Sequence, residues 1–373
     1  MEFLLLATFG EIASYVGYIL LAVLVLLAMI TVHEFGHYVT GKLFGFGIEE
    51  FAIGFGPKIY SRLKRNGERF SVRIFPLGGF CAFKGEDKDD SDPTAFNNKA
   101  WWKRIIVLIS GAFMNYLFAL LLIVIMFGVY GQTSLMAYKT VPDTGIAIEN
   151  RLQDKDVLLK ANGNNVYLVS DLMQAVQGRN AGDKVVFTVL RSGETLELNL
   201  TLRTDTNFEN LEDVDRLYTA LGIYYETDLN GGMVNGGLYS TGVRYGFFKT
   251  LALSFEYSFR IAGTIFMTLG QLITGVLGIG SVGGTITTIT ITANAIKVGG
   301  IRYLLNIASF IGVNLAVFNL LPIPALDGSR TIFTLIEGIF KKPVPRRIEG
   351  IIHAIGMFAL LLFAVFVDLQ RCF

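Results

Sequence analysis

His33-Glu34-Phe35-Gly36-His37 follows directly on Ile12 to Val32, twenty-one residues without a charge. About 20 apolar residues cross a bilayer as a helix, so this stretch is long enough to span one. On a helix, His33 and His37 share a face four residues apart, where two imidazoles can take two corners of a tetrahedral zinc. Glu34 stands beside them, suited to take a proton from an attacking water as general base. Ionisable groups inside a spanning helix are costly and mark a functional site by default. The chain must therefore bury a metal-type cluster within a membrane.

Composition agrees, because 52% of the residues are hydrophobic and only 17% charged. Glu2 and Glu11 stand where a signal peptide would be basic, so Ser14 to Thr40 reads as a retained first transmembrane helix. Ile105 to Tyr130 is uncharged throughout and follows Trp101-Trp102-Lys103-Arg104, an aromatic and basic boundary of the kind found at a cytoplasmic interface. Tyr303 to Leu326 and Ile351 to Val367 supply a third and a fourth crossing. From Lys42 to Arg104 there are twelve Lys or Arg against eight Asp or Glu, and from Gln132 to Phe247 ten against fifteen. The positive-inside rule then puts the first loop in the cytoplasm, and both termini and the long second segment outside. Phe247 to Ile279 carries Glu256 and Arg260 at helical spacing. Counting it as a crossing would put Lys341, Lys342, Arg346 and Arg347 outside, so it reads as an interfacial or re-entrant helix. Net charge is +1, which offers no electrostatic case for nucleic acid. Cys81 and Cys372 fall on opposite sides of the membrane in this topology, so no disulfide is expected.

The expected fold is a polytopic α-helical membrane protein of four transmembrane helices, with a membrane-associated β-hairpin or sheet and an inserted extracytoplasmic α+β domain. Residues 1–131 hold the first two helices and the cytoplasmic hairpin. Residues 132–246 hold the inserted domain, its core at about 140–203, and a flexible connector containing Asn230-Gly-Gly-Met-Val-Asn-Gly-Gly237. Residues 247–300 hold the interfacial helix and a Gly/Thr-rich loop, and 301–373 the last two crossings. In the first loop, Asn66-Gly67 is a hairpin turn between Ile59 and Phe75, with Phe70, Val72 and Ile74 alternating against polar residues. The flanks, Phe51 to Gly56 and Ile74 to Phe80, are too apolar for a solvated loop and suit a sheet packed at membrane depth. Such a sheet offers strand pairing to an extended substrate through Phe70, Val72 and Ile74. In the second segment, Lys184 to Arg191, a Ser192-Gly193 turn and Leu196 to Leu202 form a hairpin, with a strand at Asp156 and a short helix from Ser170 to Gln177.

A catalytic zinc takes three protein ligands and leaves one position open. Asp327 is the favoured third ligand, because it ends a helix parallel to the first at the same depth, after Pro322 and Pro324 open the backbone. His353 begins its helix on the same side, and depth alone does not separate the two.

The two motifs, His33-Glu34-Phe35-Gly36-His37 early and Asn319-Leu-Leu-Pro-Ile-Pro-Ala-Leu-Asp327-Gly328 late, resemble the site-2 protease family of intramembrane zinc metalloproteases (peptidase M50). Gly54-Phe55-Gly56-Pro57 resembles the regulator-of-sigma-E-protease branch. So does the inserted domain, whose Val141-Pro-Asp-Thr-Gly145, Asp156-Val157 and Asn162-Gly163 resemble a bacterial PDZ domain. The resemblance implies Zn2+ held by His33, His37 and Asp327, with Glu34 as catalytic base. It implies substrate handling by Asn314 and Asn319. The implied partners are single-pass membrane proteins such as anti-sigma factors or signal-peptide remnants, cut in the bacterial inner membrane after an external cleavage, with a peptide or clipped terminus at the PDZ-like domain. Gly111 and Asn115 match the family's second-helix string, whereas Ala112, Ser329 and Val282-Gly283-Gly284 depart from its pattern. A membrane zinc transporter or sensor using the same His, His and Asp cluster is the alternative, and it needs no base.

Overall fold

The chain is described here by a computed structural model covering residues 9–86, 90–141, 143, 145–205, 213–227, 233–275, 277–278, 283–342 and 344–370. Cys372, Val282, Asn230-Gly231-Gly232, and Pro142 and Thr144 of the expected domain start lie outside the described residues. The chain divides into two units, one built from residues up to Ile125 together with those from Ser254 onward, the other from Met126–Leu253.

In the first unit, α1 (Phe9–Leu43) carries the uncharged run and the His-Glu motif on one unbroken helix. It is followed by β1 (Ile48–Leu63), β2 (Arg69–Phe83) and α2 (Trp101–Tyr130). From Phe247 onward the described helices are α5 (Phe247–Ile273), α6 (Thr285–Leu320), α7 (Asp327–Phe340) and α8 (Arg346–Gln370). Among the described residues, four segments are long and apolar enough to cross a bilayer: Ile12–Leu43, Trp101–Tyr130, Thr285–Leu320 and Arg347–Gln370. Met29 of α1 packs with Ala308 and Ile311 of α6, and Phe118 and Leu122 of α2 close the same cluster. Gly36 and Gly312 let these helices approach closely. A Cβ on Gly36 would lie 2.4 Å from the Ser110 carbonyl oxygen, and one on Gly312 2.9 Å from the Ala119 methyl.

α5 is not among the four apolar segments. Its buried stripe of Ser254, Tyr257, Ser258, Ile261 and Ile265 has helical spacing and packs on other helices. The Tyr257 hydroxyl donates to Asn306 Oδ1 of α6 at 3.0 Å, and Tyr116 of α2 lies 2.9 Å from the Ser258 hydroxyl.

The β-hairpin is longer than expected and folds back on itself. Residues Leu63, Arg62, Ser61 and Tyr60 face Arg69, Phe70, Ser71 and Val72, as the Asn66-Gly67 turn requires. Residues 50–53 face the same 69–72 stretch from its other side, and also face 79–82. Two long strands thus make four arms, in the order 58–63, 69–73, 48–53, 79–83. Gly54 and Gly56, both at φ +85°, bend the first strand, and Gly78 at φ +142° bends the second.

Two expectations about the third crossing are corrected. The Gly/Thr-rich stretch ahead of residue 301 is helical from Thr285, with a break at Gly300 (φ 59°, ψ −146°), and is not a loop. At its other end α6 stops at Leu320, not Leu326, because Pro322 and Pro324 can neither donate to the helix nor avoid its preceding carbonyls. Asp327 therefore opens α7, an amphipathic helix absent from the sequence reading, instead of closing α6.

Among the described residues, the second unit is a seven-stranded antiparallel sheet with two α-helices. Its strands are β3 (Gln132–Tyr138), β4 (Val157–Ala161), β5 (Asn164–Asn165), β6 (Lys184–Arg191), β7 (Glu194–Thr201), β8 (Tyr225–Thr227) and β9 (Met233–Val243). They run in the order β7-β6-β4-β3-β9-β8, with β5 on β4. α3 (Val169–Val176) and α4 (Asp213–Leu221) cover a core of Leu158, Val166, Leu172, Phe187, Leu200 and Leu217. The expected hairpin, strand and short helix are present. The connector is not one: α4, β8 and β9 belong to the domain, and β9 pairs with β3 from Gln132↔Val243 to Tyr138↔Gly237. Asp156, fully buried, receives Arg191 Nε at 2.8 Å and Nη2 at 2.7 Å, a bidentate pair fixing β4 against β6.

Candidate metal centre

Two turns from the end of α1, His33 and His37 point their Nε2 atoms at one place. They lie 3.1 Å apart, and Asp327 Oδ2 is 2.9 Å from the first and 3.2 Å from the second. Asp327 reaches them because α7 begins there, where a carboxylate is also favoured by the helix dipole. Gly328 permits the tight return, since a Cβ on it would meet the Leu321 carbonyl oxygen at 2.2 Å.

The opposite edge of each ring is held by α2. His37 Nδ1–H donates to the Val107 carbonyl at 2.8 Å, which leaves the Nε2 lone pair facing the cluster. At His33, the Asn115 amide nitrogen is 3.4 Å from Nδ1, while Asn115 Oδ1 is buried without a partner. Turning that amide over sets the oxygen against Nδ1–H and satisfies both groups, again freeing Nε2. Three electron-rich atoms facing one another need a cation among them. Two nitrogens bound tetrahedrally to zinc at about 2.0–2.1 Å are about 3.3 Å apart, close to the spacing seen. The residues fit zinc, and they are the one such His, Cys, Asp or Glu group found among the described residues.

Glu34 and Asn319 join His33, Asn115 and Asp327 in lining a cavity of about 250 Å³, closed by Ile30, Leu315, Ala325 and Leu326. The last arm of β2 passes Glu34, for a Cβ on Gly79 would lie 3.5 Å from its Cγ. Asn314 is not among the lining residues, and its Oδ1 is buried without a partner. Phe70 and Val72 sit on the inner arm of the sheet, paired on both sides; Phe70 stacks on Phe51 at 6.1 Å and meets Tyr60 edge-on at 6.3 Å. Ile74 is exposed on the same strand. Of the two outer arms, 58–63 and 79–83, it is 79–83 that passes Glu34, and Phe70, Val72 and Ile74 are not among the residues lining the cavity.

His353 is not in the cluster. Its Nδ1 accepts from the Ala325 amide at 3.0 Å, and its ring meets Phe333 edge-on at 5.9 Å. Sequence reasoning missed what Gly111 does: a Cβ there would lie 2.4 Å from His37 Nε2 and 2.7 Å from His33 Cε1. The recurrence of Gly111 and Asn115 four residues apart, on one face of an apolar helix, was the available signal.

A second cavity, of about 330 Å³, lies against the other residues of α7. Within it Arg104 pairs with Glu337 at 2.5 Å and Arg330 with Glu86, which fastens α7 to α2 and to the loop after β2.

Comparison with known proteins agrees with this geometry. A protein of Clostridium perfringens named "Putative zinc metalloprotease" is 31% identical over 354 residues, covering 95% of this chain and 98% of its own. Relatives with the same name from Clostridium acetobutylicum (30% identical, 94% and 96% covered) and a Nostoc species (30%, 95% and 95%) match over similar spans. Four apolar helices, together with this kinship, support an inner-membrane protein. The profile of peptidase family M50 matches residues 21–363, nearly the full chain, and the protein belongs to that family.

Proposed function

We propose that the protein is a zinc metalloprotease that hydrolyses peptide bonds within the transmembrane segments of single-pass membrane proteins. The observation that carries this is the convergence of His33, His37 and Asp327 with Glu34 in one cavity, on a helix long and apolar enough to span a bilayer. Bound there, zinc supplies a Lewis acid for the scissile carbonyl and lowers the pKa of the attacking water.

This chain's residues do the rest. Val107 and Asn115 hold the two imidazoles with Nε2 toward the metal. Glu34 takes the proton of the attacking water and returns it to the leaving amine. A substrate helix hides its carbonyls, so it must be drawn out as a strand, and the open arm at 79–83 beside Glu34 offers the backbone partners. Asn319 in the cavity wall offers an amide to a substrate backbone group that has lost its helical partner.

In this reading the cluster lies near the cytoplasmic face, as the Lys and Arg excess between Lys42 and Arg104 favours, and both termini and the inserted sheet domain lie outside. The inserted domain acts as a PDZ-like filter that admits substrates, such as anti-sigma factors or signal-peptide remnants, only after their external part is removed. Purified wild type and Glu34→Gln, each assayed for zinc content and for cleavage of a model transmembrane peptide, test the chemistry. Glu34→Gln should keep its zinc and lose at least about 100-fold in rate. Undiminished cleavage would remove Glu34 from the reaction. A transporter or sensor built on the same cluster would keep its function in that variant.

A further inference from the structure

The segment that delivers Asp327 to the cluster has few ways to hold its shape. Of residues 321–326, Pro322 and Pro324 have no N–H to give. Leu321 N–H donates to the Phe318 carbonyl, Ile323 N–H to that of Leu321, and Leu326 N–H to that of Ile323. Each of these bonds stays within the loop or its own helix, so none fixes the loop to the rest of the protein. Ala325 N–H alone reaches another element, donating to His353 Nδ1 on α8 at 3.0 Å. Ala325 also holds φ +78°, a left-handed conformation that a non-glycine residue keeps only where its surroundings demand it.

α8 is shaped to make that demand. Gly356, three residues after His353 and on the same helix face, lies so close to the loop that a Cβ would meet Pro324 Cβ at 2.3 Å and its carbonyl oxygen at 2.8 Å. The His353 ring is held edge-on by Phe333 of α7. The Ala325 amide can only donate, so Nδ1 accepts and the ring proton sits on Nε2, which is buried without a hydrogen-bond partner, Glu349 Oε1 lying 3.9 Å away. We infer that His353 is a positioning residue: by accepting the Ala325 amide it locks the Pro322–Leu326 loop, and so sets Asp327 Oδ2 where His33 and His37 meet it. It touches neither metal nor substrate and acts two residues away from the ligand it places.

The inference rests on zinc binding alone, so zinc affinity of the full-length purified protein tests it independently of cleavage. His353→Phe keeps a ring of similar size against Phe333 and removes the acceptor. His353→Asn keeps an acceptor, because Asn Oδ1 and His Nδ1 are both attached to Cγ. By chelator competition, His353→Phe should bind zinc about tenfold or more weakly and show a changed visible spectrum with Co2+, and His353→Asn should recover most of both. Wild-type zinc affinity in His353→Phe, or an Asn variant no better than Phe, would overturn the proposal. Hydrogen exchange on metal-free wild type covers a Phe variant that fails to fold: the Ala325 amide should be protected, and exchange as fast as an open loop would overturn the proposal equally.

Discussion

Gly111 leaves the cluster little tolerance for change, because the two imidazoles occupy the space a side chain would need. Gly111→Ala keeps helix propensity and even improves it, so its effect should fall on the ligands. The expected outcome is a folded protein that has lost most of its zinc, checked by metal analysis beside a thermal melt; full zinc content would mean that the rings can shift aside at no cost. That His33, His37 and Asp327 come together was readable from the sequence, since a His-Glu-x-x-His string and a lone aspartate after two prolines are conspicuous among apolar residues. What Gly111, Asn115 and His353 do was not readable. Each acts on a residue dozens of positions away, and only the approach of α2 to α1, or of α8 to the 321–326 loop, gives it a partner.

Among the elements, the bent hairpin is pinned at its turn by Glu68, whose side chain is only 2% exposed and receives Lys42 Nζ at 2.5 Å and Lys64 Nζ at 2.7 Å. Burial pushes this carboxyl up, but Lys42 and Lys64, with Tyr38 and Asn66, outweigh it and hold the pKa at about 2, well below the 4.5 of an ordinary glutamate. A depressed carboxylate stabilises the fold fully above its unfolded value and loses that contribution as pH falls through the folded one. Between pH 4.5 and about 2 the wild type should therefore lose on the order of 1–2 kcal/mol that Glu68→Gln never had, the figure being discounted because both lysines are partly solvated. Denaturation of the two proteins across that window checks it; equal slopes would show that the anchor contributes nothing. Hydropathy located all four long apolar helices, but not where α6 begins. Residues 285–299 are rich in Thr and Ile, poor helix formers. Their threonine hydroxyls bond back one turn, Thr288 to the Gly284 carbonyl and Thr292 to that of Thr288, which pairs each hydroxyl without itself favouring the helix. Asp368, from α8, also accepts the amides of Ile286 and Thr287 at the helix start, a cap that no local pattern reveals.

For the molecule as a whole, the two units change what a deletion should remove. Cutting out Thr140 to Arg203, the core read from sequence, would strip β4 to β7 and leave β3 facing β9 over an exposed apolar floor. The excision that respects the fold runs from β3 through β9, because Gln132 and Val243 are already opposite one another. Strand partners are about 5 Å apart, so a few glycines and serines rejoin the chain. If the domain filters substrates, the shortened enzyme should cut a membrane protein whose external part is intact, which the full-length enzyme refuses; refusal by both would reject the filter. The paired first and last strands also make the insert a cassette on a fixed-width stem. Any domain whose ends lie side by side can be spliced onto that stem, so what the protease admits can be re-engineered, or can evolve, without a single change among the residues that would cut.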